Sequence, residues 1–317
     1  MSIKVEVFED FHVRGASAPE WNQRYVQLSA GAMRSTLTEA TSGDVHVFRK
    51  WMSGQVVQQG CLPPGRICFA LLNGGTGRPP RVQRRELHED DLFVLRSGEE
   101  FTIQRPGGME LLAVTLPVED FLRAVEDGPW NEPARRLLAR QVLRVPTAPL
   151  QRLRAQLLDL LAAPRNDRAT ADGDGPMMAN VLLASLCRLL DDASGAHEAL
   201  SSASSGRIVA ECHRIVAESG EAPPDIEALC RRLHTSRRRL QDSFRQVADT
   251  TAGHYLRGVR LNLVHRRLLA TSAHELSVSQ AAADQGFGHL SHFTERYKAL
   301  FGELPSQTKR QRVEAAS

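Results

Sequence analysis

Aromatic residues are scarce in this chain of 317 residues: Phe, Tyr and Trp together make up 5% of it. A core built on stacked rings is therefore excluded, and the interior has to rest on Leu, Val, Ile and Ala. Cysteine is sparse as well. The five present, Cys61, Cys68, Cys187, Cys212 and Cys230, are odd in number, scattered, and form no CxxC pair, which argues against a disulfide framework and for reduced thiols. Long apolar runs are missing too. The longest near-apolar stretch, 181–190, is interrupted by Arg188 and falls far short of the roughly 20 residues that cross a bilayer. The opening residues, MSIKVEVFEDF, are acidic and lack the apolar segment of a signal peptide. The expectation is a soluble, cytoplasmic protein with no membrane partner. No strong charge of either sign is present, since the net charge is +3.

With 42% hydrophobic and 24% charged residues, the chain has the composition of a folded protein and the length for roughly two domains. The small net charge hides an asymmetry. Residues 207–317 hold 17 Lys and Arg against 12 Asp and Glu, whereas residues 1–206 hold 23 against 25. Seven of the 11 His also lie in the C-terminal part. A basic surface draws a phosphate backbone through counterion release, whereas a small-molecule pocket does not need one.

Between residues 25 and 116, short β-type segments are broken by turn residues, at 25–28, 45–51, 67–72, 92–95, 101–104 and 111–116. Val45 and Val47 begin a period-two pattern, and the Gly-rich stretch 74–77 followed by Pro79 and Pro80 reads as a loop. Short strands at this spacing predict a cupin-like barrel or a sandwich. After Pro117 the apolar spacing becomes helical, at 118–125, 134–143, 150–161 and 177–190. Leu150, Leu153, Leu157, Leu158 and Leu161 form one stripe, which fits packing on the chain's own sheet or a helix pair between two copies of the chain. Residues 193–206 are small and polar and read as a linker. The organisation expected is α+β. A sensing or dimerising domain spans 1–192, β-rich over 20–117 and with flanking helices over 118–192, and an all-α domain spans 207–317.

The C-terminal part repeats one pattern. Asp225 is a strong helix N-cap, and Ile226, Leu229, Cys230 and Leu233 follow at three- and four-residue spacing. Thr235 and Ser236 then make a turn and a second cap, before a helix over 237–247 that directs Leu240 and Phe244 inward. Two short helices joined by a tight turn make a helix-turn-helix, here over 225–247. Further on, Ser277 caps a helix containing Val278, Ala281 and Ala282, and Gly286 supplies the positive φ of a turn. A last helix from Leu290 buries Phe293, Tyr297 and Leu300, giving a second unit over 277–300. A helix over 251–270 joins the two. Twenty residues at 1.5 Å per residue span roughly 30 Å, close to the roughly 34 Å between successive major-groove faces on one side of a duplex.

Residues 207–310 resemble the DNA-binding domain of the AraC/XylS family of bacterial transcription regulators, and residues 286–305 resemble its most characteristic segment. Gly286, Phe287, Ser291, Phe293, Lys298, Phe301, Gly302 and Pro305 match the family pattern, as do Ser236, Leu240, Gln241, Phe244, Tyr255 and Arg260 in the first unit. The departures are His234 and Asp249 in place of Gly, Ala252 in place of Pro, and Glu295 in place of a basic residue. The first two imply turns in which a polar residue takes the left-handed conformation.

The resemblance implies that Arg238, Gln241 and Asp242, then Leu290, Ser291, His292 and Glu295, face the major groove. Ser236, Arg237, Thr294 and Arg296 complete the candidate DNA surface. Arg239, Arg245, Arg257 and Lys298 are the candidates for phosphate. It also implies promoter DNA and RNA polymerase as partners, a homodimer, a small-molecule effector for the N-terminal domain, and action as an activator.

Nothing in residues 1–192 spells out chemistry. His46 and His88 lack the spacing of a metal-binding cupin, residues 87–91 read as an exposed turn, and Cys61 and Cys68 have no evident base. The stretch 74–77 lacks the following helix and downstream acid of a dinucleotide site. No cofactor, metal or catalytic residue is expected, and the chain is not expected to be an enzyme. Trp51, Phe69, Phe93 and Phe101 are candidates to line a pocket or to fill the barrel core. The alternatives to an effector-responsive regulator are a regulator whose first domain is an interaction module, and an enzyme fused to a DNA-binding tail.

Overall fold

The computed structural model describes residues 2–8, 21, 23–75, 79–82, 85–127, 141–162, 174–193, 203–220 and 223–310. Its N-terminal part is β-rich and its C-terminal part helical, an α+β architecture. Seven strands form one antiparallel sheet: β1 (Ser2–Phe8), β3 (Ser35–Ser42), β4 (Val45–Met52), β6 (Arg66–Leu72), β9 (Asp91–Leu95), β11 (Met109–Pro117) and β12 (Val142–Arg144), in the order β1-β3-β4-β11-β6-β9-β12. Five form the other: β2 (Arg24–Gln27), β5 (Val56–Cys61), β7 (Arg81–Val82), β8 (Arg85–Glu86) and β10 (Glu100–Arg105), in the order β2-β5-β10-β7-β8.

Alternation along the strands decides what each face meets. On β4, β6 and β11, Val47, Phe69, Leu71, Leu112 and Val114 point outward to a helical layer of α1 (Val118–Asp127), α2 (Thr147–Ala162) and α3 (Asp174–Ala193). Their neighbours Cys68, Ala70, Leu111 and Ala113 point inward and share a second cluster with Phe101 and Ile103 of β10. The leucine stripe of α2 settles on the outer face. Leu150, Leu153, Leu157 and Leu161 are buried in the same cluster as Val45, Val47 and Leu112, with Leu158 packed partly against it. Each buried leucine contributes about 1.5–3 kcal/mol, so this stripe is occupied within the chain and offers no face for a helix pair between copies.

Three expectations are corrected. The strand β1 lies ahead of the stretch read as β-rich, paired in register with β3 from Ser2 opposite Thr41 to Phe8 opposite Ser35. Of the helix expected over 134–143, residues 134–140 lie outside the described residues, while Val142 and Leu143 are in β12. There they pair with Phe93 and Leu92 of β9, and Arg144 Nε meets Asp91 Oδ1 at 2.8 Å. A short apolar segment beside an open sheet edge takes the ladder bonds that the edge offers. Of the expected linker, residues 194–202 lie outside the described residues, and residues 203–206 are the first turn of α4 (Ala203–Glu218), where Ser205 Oγ lies 3.2 Å from Gln246 Oε1.

Five more helices follow: α5 (Ile226–Arg232), α6 (Arg237–Ala248), α7 (Ala252–Ala270), α8 (Val278–Asp284) and α9 (Leu290–Phe301). They enclose two cores. Val209, Cys212, Leu240, Phe244, Tyr255 and Leu256 belong to the first, Val264, Leu268, Ala281, Phe293 and Tyr297 to the second, and α7 contributes to both. Among the described residues no helix is long and apolar enough to cross a membrane.

The turns of the two units close in the same way. After α5, Thr235 N–H donates to Cys230 O (3.0 Å) and His234 N–H to Arg231 O (3.3 Å). After α8, Phe287 N–H donates to Ala282 O (3.1 Å) and Gly286 N–H to Ala283 O (2.8 Å). Both are paired 6→1 and 5→2 caps around a left-handed residue. That residue is Gly286 at φ 73° in the second unit and His234 at φ 47° in the first. Asp249, at φ 50°, ends α6 in the same conformation. A side chain in this region costs about 1–2 kcal/mol, and glycine returns about 0.5–1 kcal/mol of that through the freedom it adds to the unfolded chain. His234→Gly is therefore expected to stabilise the protein by about 0.5–1 kcal/mol. Chemical denaturation showing a loss instead would mean that the His234 ring makes a compensating contact.

Candidate nucleic-acid interface

Both helices of the first unit and the joining helix α7 are started by a side chain. Asp225 Oδ1 accepts from Ala228 N at 2.7 Å, Ser236 Oγ from Arg239 N at 3.2 Å, and Thr251 Oγ1 from His254 N at 3.2 Å. In the second unit Ser277 Oγ accepts from Gln280 N at 3.1 Å, whereas α9 starts at His289 without a side-chain cap. The uncapped amides of an exposed helix start remain open to an anion.

On α6, Leu240, Ser243, Phe244 and Val247 are buried, and Arg237, Arg238, Arg239, Asp242 and Arg245 are exposed on the opposite side. Arg238 is 94% exposed and only loosely paired with Asp242, at 3.9 Å. Ser236 is exposed at the helix start although its hydroxyl serves as the cap. Gln241 is half-buried, and its Oε1 accepts from Ala252 N at 3.1 Å, so it caps α7 and offers outward only its amide NH2. A glutamine that reads adenine needs both ends of its amide. Gln241 therefore joins α6 to α7 before it can act on DNA.

On α9 the buried face is Phe293, Tyr297 and Phe301, and the outward face carries Leu290, Ser291, His292, Glu295, Arg296 and Lys298, with Thr294 half-buried between. Leu290 is 48% exposed, a large apolar side chain at a helix start facing solvent. His292 lies 3.8 Å from Glu295. Among the described residues no group of three or more His, Cys, Asp and Glu has metal-binding geometry. Burial pushes the Cys68 and Cys212 thiols up to about 12, so they stay protonated.

The helix between the units positions more cations. Arg257 is exposed on α7, and its guanidinium is held below the usual arginine range, first by partial burial and then by Arg296 of α9. Two cations from different helices thus stand close enough to repel, an arrangement that a phosphate would relieve. Arg260, one turn further along α7, donates from Nη2 to the carbonyl oxygens of Pro223 (3.4 Å) and Pro224 (2.9 Å), tying the segment ahead of the first unit to α7. Below the surface, His213 Nδ1 lies 3.1 Å from Tyr255 Oη. Burial, and then Arg24 and Arg266, push His213 down to about 3, so it is neutral.

Residues 229–311, which include α6, α7 and α9, match a family described as a helix-turn-helix domain. The C-terminal region is a helix-turn-helix domain. It is similar to that of XylDLEGF operon transcriptional activator 1 of Pseudomonas putida, at 39% identity over 87 residues, 27% of this chain and 26% of that one. It is also similar to the HTH-type transcriptional regulator CdhR of Pseudomonas aeruginosa, at 34% over 89 residues, 28% and 26% of the two chains. The chain thus spans about a quarter of the length of these curated relatives. Among solved structures it is similar to the AraC-like transcriptional activator CuxR, at 18% identity and a TM-score of 0.43, covering 82% of this chain and 94% of that one.

The helix-turn-helix domain is in direct contact with the β-rich part. Val26 of β2 and Val57 of β5 belong to the same core as Phe244, Tyr255 and Val259, so the five-stranded sheet is a wall of the first unit. Gln27 forms the polar part of the seam. Its backbone N–H donates to Asn262 Oδ1 on α7 at 3.3 Å, and its Nε2 donates to Gly31 O at 2.7 Å and to Leu300 O at the end of α9. Gly31 N–H donates to Ala299 O at 3.2 Å.

On its other face the same sheet closes a cavity of about 450 Å³ between the two sheets. The lining follows strand alternation: His46, Phe48 and Lys50 from β4, Phe101, Ile103 and Arg105 from β10, Leu111, Ala113 and Thr115 from β11, with Gln58 from β5. Of the four aromatics singled out by sequence, Phe93 and Phe101 line this cavity, Phe69 faces the helical layer, and Trp51 does neither. Sequence reasoning missed Lys50, Arg105 and Gln58, although the alternation of Lys50 with Phe48, and of Arg105 with Ile103, marks the interior face.

Proposed function

We propose that the chain is a sequence-specific DNA-binding transcription regulator, an effector-responsive activator that sets α6 and α9 into successive major grooves of promoter DNA. The observation that carries this reading is the pair of matched helix-turn-helix units whose outward residues are solvent-exposed rather than buried against the β-rich part. The joining helix α7 has 19 residues and so spans about 28 Å at 1.5 Å per residue, near one helical repeat of DNA. Arg238 and the amide NH2 of Gln241 are assigned to base edges, together with Asp242, Leu290, Ser291, His292 and Glu295. Ser236, Arg237, Arg239, Arg245, Thr294, Lys298 and the pair Arg257 and Arg296 hold phosphate or flank it. The β-rich part, taken as residues 1–192, is the sensing domain and not an enzyme. Its five-stranded sheet transmits the state of the cavity to α7 and α9. A homodimer and RNA polymerase complete the assembly, which acts in the cytoplasm.

The assignment is tested by fluorescence anisotropy of the full chain on a selected site and on a scrambled duplex, over a range of salt. Arg238→Ala is expected to weaken the selected site by about 1–3 kcal/mol and leave the scrambled duplex unchanged. Arg245→Ala is expected to weaken both alike and lower the slope of log K against log salt by about 1. Equal losses on both duplexes for both variants would remove the distinction between base and phosphate contacts.

A further inference from the structure

The cavity between the sheets is asymmetric, and its charge distribution specifies a class of ligand. We propose that it binds a small organic carboxylate, with the carboxylate held by Lys50 and Arg105 and an apolar body lying along Phe48, Phe93 and Phe101. This rests on reading the β-rich part as the sensing domain.

Two cations at one end carry the argument. Lys50 is 3% exposed and Arg105 0% exposed, and both line the cavity. They are joined directly: Arg105 donates from Nη2 to Lys50 O and from Nη1 to Gln58 Oε1, each at 3.1 Å. Lys50 Nζ donates to Tyr25 Oη and lies 4.3 Å from the centre of that ring. Charge withdrawn from water is costly, and the same low-dielectric surroundings strengthen its attraction for an anion. A planar guanidinium beside an ammonium suits a carboxylate, which accepts on two oxygens at once.

The rest of the cavity agrees, with Arg66, the third cation of the lining, donating from Nη2 to Asp44 O (2.7 Å) and Thr115 Oγ1 (2.9 Å) at the opposite end. Leu111 stands opposite Lys50 in the sheet, and Thr115 opposite His46, so the Lys50 end and the His46 end lie four residues apart along β4, about 13 Å. The carboxylates that line the cavity, Glu39 and Asp44, belong to the His46 end, where Glu39 Oε2 is 3.1 Å from His46 Nε2. Between the ends the wall is aromatic and aliphatic. A head of one negative charge on a ring or medium-length chain matches this order, and a volume of about 450 Å³ lies within the usual range for small-molecule pockets.

The site also has an outlet. Gln58 and Tyr25 contact the two cations from the five-stranded sheet, and their chain neighbours Val57 and Val26 are in the core of the first helix-turn-helix unit. A ligand that pulls on Lys50 and Arg105 therefore acts on strands one residue away from the DNA-binding domain.

The test uses the full chain, thermal unfolding and calorimetry, with octanoate, cyclohexanecarboxylate and 2-naphthoate against their primary amides and against octyl phosphate. At least one carboxylate is expected to stabilise the protein saturably, as a ligand of the native state must, and its amide to bind at least tenfold more weakly. Lys50→Met and Arg105→Met are each expected to lower that affinity at least tenfold. Should either fail to fold, Lys50→Arg, which keeps the charge, is expected to bind within about threefold of the parent, and Gln58→Ala to bind several-fold more weakly. Amides binding as well as acids, octyl phosphate binding best, or no acid binding at all would overturn the proposal. Binding of the ligand-free protein to selected and scrambled duplexes is measured in parallel, so a failure here is separable from a failure of the DNA-binding assignment.

Discussion

Replacing Phe293 with alanine is expected to cost about 3–5 kcal/mol, the usual range for a buried phenylalanine, and to unfold the second helix-turn-helix unit ahead of the first. Phe293 is fully buried, with Phe287 and Tyr297 rings at 5.1 Å and 5.5 Å between centroids. Its cluster is small and separate from the one that holds Phe244 and Tyr255. Tyr297 cannot move into the space, because it is already fixed by His265 Nδ1 and by Thr308 Oγ1, the latter at 2.6 Å. A whole domain is stable by only about 5–15 kcal/mol, so a loss of this size in one small core separates its melting from the rest. Urea unfolding followed by hydrogen exchange is expected to show early loss of protection in α8 and α9, while α4 to α6 keep theirs. Affinity for the selected site is expected to fall to what the first unit alone provides. A single cooperative transition, shifted by less than about 1 kcal/mol, would show that the two cores are not energetically distinct.

That separation was legible in the sequence, and the reason is local. Phe293 and Tyr297, four apart, and Leu240 and Phe244, four apart, lie on one side of a helix whatever the rest of the chain does. Asp225, Ser236 and Ser277 cap their helices within three residues of themselves. The left-handed residues His234 and Asp249 followed from the family resemblance, in which they stand in place of Gly. What escaped depends on partners distant in the chain. β3 is rich in Thr and Ser, with few large apolar residues to mark it, and it becomes a strand because β1 and β4 flank it. Val142 and Leu143 became strand because they pair with Phe93 and Leu92 on the edge of β9. Lys50 and Arg105 were overlooked because charged residues are ordinarily assigned to solvent, and their place inside is a matter of register between strands. Gln241 was expected to face outward from its helix, but its carbonyl oxygen reaches the start of α7, a partner that helix periodicity alone does not show.

Gly302→Ala is expected to uncouple the β-rich part from the helix-turn-helix part without touching the proposed site of either. Gly302 ends α9 at φ 79°, donating its N–H to Lys298 O at 2.8 Å. An alanine there pays about 1–2 kcal/mol for the left-handed backbone alone. Its methyl group would also stand 2.9 Å from the backbone nitrogen of Ala32, and such overpacking adds about 1–3 kcal/mol. The obstructing atom is main chain, so the segment around Ala32 has to move, and with it the bonds from Gly31 N–H to Ala299 O and from Gln27 Nε2 to Leu300 O. Gly286→Ala is the control, because at φ 73° it carries the same backbone cost but makes only ordinary contacts, with the Pro223 ring at 3.6 Å and Arg260 Nη1 at 4.0 Å. Because linkage is reciprocal, an effector that changes DNA affinity must itself be bound differently when DNA is present. In Gly302→Ala both effects are expected to shrink together, with effector affinity in the absence of DNA unchanged, whereas Gly286→Ala should keep the coupling and lose only stability. Full coupling in Gly302→Ala would mean that the signal passes through Val26 and Val57 into α7 alone, and that the contact at the end of α9 only braces the fold.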